Sequence, residues 1–165
     1  MSKAQPTGYF ITWTVYGTHL PGDGPNWRHR KQGQKLPAPL LRDWTADRLK
    51  HDVELLEAHM RLVTQAAIEH RCKVKNWKLW SAYVGCNHVH VVVSASSKRP
   101  ETVRDQLKSA STEMLRIRFP SWRGRPVWTR CGDVEFLCDE DAIAAAVQYV
   151  EWAQTHKDRE IDAAL

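Results

Sequence analysis

Cys86-Asn87-His88-Val89-His90-Val91-Val92-Val93 is a nearly unbroken run of β-branched residues interrupted only by two histidines. Such a run reads as a strand buried on both faces, the kind found at the centre of a covered sheet. Because side chains alternate along a strand, His88 and His90 project from the same face, one valine apart. Two imidazoles on one rigid wall make half of a metal site. The chain carries eight histidines, so a pair alone is equally consistent with hydrogen-bonded sheet histidines. The rest of the sequence must decide.

Working outward, Trp77–Val84 reads as a second strand joined through Gly85-Cys86-Asn87, which makes a hairpin that sets the histidine strand beside its neighbour. Upstream, Gly8–Gly17 is rich in aromatic and β-branched residues and predicts a first strand. Between these, apolar residues at threes and fours (Leu49, Val53, Leu56, Met60, Val63, Ala67) predict a helix capped by Asp43 or Thr45 and running to about His70. Downstream, Lys98-Arg99-Pro100 breaks the sheet, and Val103, Leu107, Ala110, Met114 and Ile117 mark a helix over 101–117 that Phe119-Pro120 stops. Val127–Thr129 and Val134–Leu137 supply a bent strand or small hairpin. Asp139-Glu140-Asp141 opens a last helix running to about His156. The order β, α, β, β, α, β, α predicts an α+β fold, a ferredoxin-like split β-α-β sheet with an additional C-terminal helix. One domain over 1–165 is expected, with residues 18–42 as a long basic loop insertion.

Lys and Arg outnumber Asp and Glu by 24 to 19, and the sequence pI is about 9.1, which tilts the expected partner toward a polyanion. The excess clusters in 28–35, in Lys98-Arg99 and in 116–125. Within the first cluster, Trp27 beside Arg28, Arg30 and Lys31 is suited to stacking a base while the cations hold phosphates. Of the eight tryptophans, Trp13, Trp77, Trp80 and Trp128 lie in strands and are expected in the core. Cys72, Cys86, Cys131 and Cys138 form no Cys-x-x-Cys pair, which points to free thiols in a reducing compartment. No stretch has the apolar length of a membrane span or a signal core, so a cytoplasmic location and no membrane partner are expected.

On the last helix Ile143, Val147 and Val150 make the apolar stripe, whereas Tyr149 lies roughly 100° or more off it, among alanines that leave the phenol room. Asn87–Val93, the stretch from Pro126-Val127-Trp128-Thr129-Arg130 to Gly132–Phe136, and Val147-Gln148-Tyr149-Val150-Glu151-Trp152 together resemble the single-tyrosine transposases of the HUH superfamily, in particular the REP-associated tyrosine transposases. Gly17-Thr18-His19-Leu20-Pro21-Gly22-Asp23 also resembles a loop of REP-associated members. The resemblance implies a divalent metal, Mg²⁺ or Mn²⁺, on His88 and His90, and Tyr149 as nucleophile. It implies single-stranded or hairpin DNA as partner, cleaved and rejoined through a 5′-phosphotyrosine. Whether the protein acts as a monomer or a homodimer is left open.

In that family the third ligand is an Asn or Gln one turn after the tyrosine, but here the position is Ala153, which has no donor atom. Gln154 follows, roughly 140° away on an ideal helix, so its use as a metal ligand requires a π-bulge or a frayed last turn. His156, two turns on, is the other substitute. Two rival readings stand beside this one: a non-catalytic or degenerate nucleic-acid-binding module on the same fold, and a structural zinc site using Cys86, His88 and His90 with Cys131 or Cys138.

Overall fold

A computed structural model describes residues 6–24, 28–29 and 31–153. Four strands make the main sheet: β1 (Gly8–Thr14), β4 (Lys78–Val84), β5 (His88–Ser94) and β6 (Asp133–Leu137). Their spatial order is β4-β5-β1-β6 and every neighbouring pair is antiparallel, the split β-α-β arrangement that the element order predicts. The connection after β1 holds a two-residue pair, β2 (Arg28–His29) with β3 (Gly33–Gln34), and a short helix, α1 (Pro39–Ala46). The predicted 18–42 insertion is therefore partly ordered into elements, with α1 starting inside it.

The histidine strand is central, flanked by β1 and β4. Its register against β1 sets Thr12 opposite His90 and Thr14 opposite His88. Alternation then sorts the sheet into two faces. Tyr9, Ile11, Trp13, Val89, Val91 and Val93 point into the larger core, under α2 (Ala58–Val74) and α3 (Pro100–Arg118). Phe10, Thr12, His88, His90 and Val92 occupy the opposite face, where Val92 packs with Ile143, Ala146 and Val150 of the C-terminal helical segment. The C-terminal part is α4 (Glu140–Gln148), whose first amides are met by the Asp139 carboxylate accepting from Ala142 N at 2.7 Å.

Two expectations change. The helix predicted over 43–70 is two helices, α1 and α2, separated by an irregular stretch over 47–57. One helix of that length would run about 42 Å, against about 23 Å for a seven-residue strand, and would overshoot the sheet. Instead Leu56 N donates to the Cys86 carbonyl at 2.8 Å, tying the stretch to the turn before His88. Leu49 and Val53 crowd Gly17, whose φ of +78° and lack of Cβ let them close in. Trp80, expected in the core, is 38% exposed. A register shift between Leu79 and Ser81 turns it outward, where Lys78 lies over its ring and its Nε1–H donates to Ser94 Oγ at 2.9 Å. Trp122 takes the opposite course: it is fully buried, and its indole N–H points at Met60 Sδ.

Candidate active site

Gly85 N donates to the His88 carbonyl, closing the turn that delivers His88 to the head of β5. A Cβ on Gly85 would stand only 3.1 Å from His88 Cε1 and 3.2 Å from Tyr83 Cε1, so a glycine there lets the imidazole lie back over the turn. The His88 and His90 rings have centroids 4.8 Å apart at 67°. Phe10, from β1, stacks on His90 at 5.4 Å. His90 is buried and His88 half-buried.

Each imidazole is oriented through Nδ1. Asn87 Oδ1 lies 2.7 Å from His88 Nδ1, and Thr12 Oγ1 lies 2.8 Å from His90 Nδ1. An amide oxygen only accepts, so this contact is one in which His88 Nδ1–H donates to Asn87 Oδ1. The Thr12 hydroxyl can hold His90 in the same tautomer by accepting from Nδ1–H. Metal-binding imidazoles are held in this way, with the second nitrogen bonded to an oxygen. Neither Thr12 nor Asn87 is singled out as a site residue by the sequence. Asn87 could have been found from its position beside His88, but Thr12 is a partner only because the β1–β5 register places it opposite His90.

Tyr149 reaches the same face from the C-terminal helical segment that packs on it. Its ring stands edge-on to His90 at 6.1 Å and edge-on to Phe10 at 6.0 Å, and it is 41% exposed. Val150, the next residue, is buried and keys the segment to Val92. A phenol off the apolar stripe, as the sequence predicts, is thereby fixed beside the histidine pair with one side open. From Tyr149 to Ala153 the chain is wound as a π-helix. In π winding the hydrogen bond closes at five residues rather than four. Gln154 and His156 lie outside the described residues.

Among the described residues no three His, Cys, Asp or Glu side chains gather into a metal-ligating group, so Cys86, Cys131 and Cys138 do not join the histidines. The potential donors brought together there are the two imidazoles. Of the residues expected to hold DNA, Trp27 and Arg30 lie outside the described residues, Arg28 opens β2, and Lys31 is an exposed turn residue. No described helix is long and apolar enough to cross a membrane.

The family model for IS200-like transposases matches residues 48–152, well over half of the chain. Solved structures similar in fold include two transposases. One is a candidate transposase from Deinococcus radiodurans R1, 16% identical, with a TM-score of 0.50 and coverage of 92% of this chain and 93% of that one. The other is a REP-associated tyrosine transposase bound to a REP hairpin, 11% identical, with a TM-score of 0.54 and coverage of 95% and 72%. At these identities the likeness is one of fold. No curated protein sequence matches.

Proposed function

We propose that this chain, which belongs to the IS200-like transposase family, cleaves single-stranded DNA at hairpin-forming sequences and transfers the cut strand through a phosphotyrosine on Tyr149. The observation that carries the reading is the meeting of Tyr149, half open to solvent, with the His88–His90 pair on one face of the sheet. The REP hairpin in the solved neighbour supports hairpin DNA as the substrate class.

The residues divide the work by position. His88 and His90, each through Nε2, together with Gln154, would hold Mg²⁺ or Mn²⁺; imidazole with oxygen ligation at an open site suits either, Mn²⁺ being the more tolerant of nitrogen. When bound, the ion supplies charge stabilisation to the oxygens of the phosphate. Asn87 and Thr12, each accepting from Nδ1–H, would hold the imidazoles with Nε2 toward the ion. Tyr149 Oη gives up its proton and bonds to phosphorus as the bond to the 3′ oxygen breaks, and that oxygen takes up a proton. The product strand is held as a 5′-phosphotyrosine, which conserves the bond energy so that a 3′ hydroxyl can reverse the step without ATP. Trp27, Arg28, Arg30 and Lys31 are assigned to holding the single strand.

Ala153, four residues after the tyrosine and without a donor atom, favours a second reading in which the chain binds DNA without cutting it. The two separate in one experiment. Hairpin-bearing single strands and the same sequences as duplexes are incubated with Mg²⁺, Mn²⁺ or EDTA, and products are resolved under denaturing conditions. Cutting of single strands only, in metal only, is expected. Binding without cutting in either metal would leave the second reading standing.

A further inference from the structure

A second surface lies across the sheet from the histidines. The exposed side of α3 and the segment 126–131 form a groove of about 530 Å³, which continues past Arg116 into a hollow reaching Arg123. Arg104, Lys108, Thr112 and Arg116 follow one another at four-residue intervals along the α3 wall, so they fall on one side of the helix. Arg130 stands on the opposite rim, exposed.

How these cations are held is the informative point. Lys108 Nζ donates to the carbonyls of Thr129 and Cys131 at 2.8 and 2.7 Å. Arg116 donates to the carbonyls of Trp122 and Arg125, and Arg123 to those of Arg116 and Ile117. Carbonyls fix a cation in place without cancelling its charge. Arg104 alone bonds a carboxylate, that of Asp105 at 3.0 Å, and Glu113 is the one other acid on these walls. Burial, and then the neighbouring Arg104 charge, hold the Lys108 ammonium below the ordinary lysine range, as befits cations crowded together. The Arg123 bonds also close the C-terminus of α3 and those of Lys108 tie residues 129–131 to the helix, whereas Arg130 serves neither purpose.

The groove also leads to the site. Thr129, part of its wall, accepts at Oγ1 from Thr14 Oγ1 at 3.0 Å and donates its N–H to the Thr14 carbonyl. Thr14 is the residue paired with His88. The groove wall is thus bonded directly to the end of β1 that lies beside His88. Lys108 to Arg116 spans about 12 Å, three to four phosphate spacings of a stacked strand at roughly 3.4 Å each.

We propose that the groove between α3 and 126–131 is a track for the sugar-phosphate backbone of the DNA strand flanking the cleaved linkage. It rests on the DNA reading given above. Exposed aromatics are absent from its described walls, so it would hold phosphates and not read bases.

The test is binding in EDTA, where metal-dependent cutting is excluded, across a salt series. The ligands are a hairpin with no flank and the same hairpin with a ten-nucleotide single-stranded flank on either side. Arg116→Gln/Arg130→Gln should lower the salt slope for a flanked hairpin by about 1.4, at roughly 0.7 per phosphate contact, which is about 25-fold weaker binding at 0.1 M salt if the lines meet at 1 M. Thr112→Glu, which breaks no bond of the parent, should weaken the same ligand, and neither variant should change binding of the flankless hairpin. Parent-like slopes in both variants would overturn the proposal. So would equal losses with the flankless hairpin, or equal losses with polyglutamate in place of DNA. If the flank and slope effects hold while the parent forms no tyrosine adduct, the track stands and the cleavage reading fails; an adduct with parent-like binding in the variants fails the track alone.

Discussion

Replacing Thr12 by valine keeps the branched shape that suits the middle of a strand but deletes the oxygen 2.8 Å from His90 Nδ1. His90 is only 8% exposed, so water has little access to repair the loss. A buried donor left without an acceptor costs about 1–3 kcal/mol, and for a domain of this size each kcal/mol lowers the melting temperature by about 2–4 °C. The larger effect falls on metal binding. With no acceptor at Nδ1 the imidazole is free to take the other tautomer, which turns a proton toward the ion in place of a lone pair. Loss of such a supporting bond typically weakens metal affinity about 10–100-fold. Mn²⁺ titration followed by the loss of free-ion EPR signal should show that shift for Thr12→Val, with Thr12→Ser staying near the parent. A valine variant that melts cooperatively and binds Mn²⁺ within about twofold of the parent would refute the role given to Thr12.

Three further outcomes are expected. Because His88 and His90 act through one ion, His88→Ala, His90→Ala and the double variant should lose metal-dependent cleavage to a similar extent, and additive losses would contradict a shared ion. Gln154→Ala should weaken Mn²⁺ binding about tenfold or more while His156→Ala does not, as measured by the same titration; the reverse order would move the third ligand to His156. Burial pushes the Cys72 thiol up from 9.0 to about 11. The unfolded chain therefore loses its thiol proton first, so stability that is intact below pH 9 should fall by about 2–3 kcal/mol toward pH 11. Denaturant melts across that range should show the fall, and it should be smaller by that amount in Cys72→Ala, where the raised Tyr9 phenol still contributes.

The parts of this fold that could be read from sequence are those set by local pattern. The valine run of β5 and its hairpin with β4 follow from β-branched content and one glycine turn, and α3 follows from a stripe that begins at a proline and ends before another. Helical spacing alone joins 43–70 into one helix, because Leu49, Val53 and Leu56 keep that spacing while serving a different purpose: Leu49 and Val53 pack against Gly17, and Leu56 ties to Cys86. Trp80 faces outward because of a register shift, a property of two strands together that neither sequence displays alone. The site divides along the same line. His88, His90 and Tyr149 were legible from strand period, helix stripe and family resemblance, and the structure brings their rings together. Thr12 is 78 residues from His90, so its role exists only once β1 and β5 are in register. The chain is π-wound over Tyr149–Ala153, and Gln154 lies outside the described part.

The most direct measurement is of the covalent bond. Parent protein and Tyr149→Phe are incubated with a hairpin-bearing single strand and Mn²⁺, denatured, and digested, and the DNA-linked peptide is mapped by mass spectrometry. The parent should carry the cleaved strand by its 5′ phosphate on the peptide containing Tyr149, and the phenylalanine variant should bind the same DNA yet yield no adduct. An adduct of equal yield in the variant, or one mapped in the parent to another tyrosine, would contradict the assignment of Tyr149 as the nucleophile.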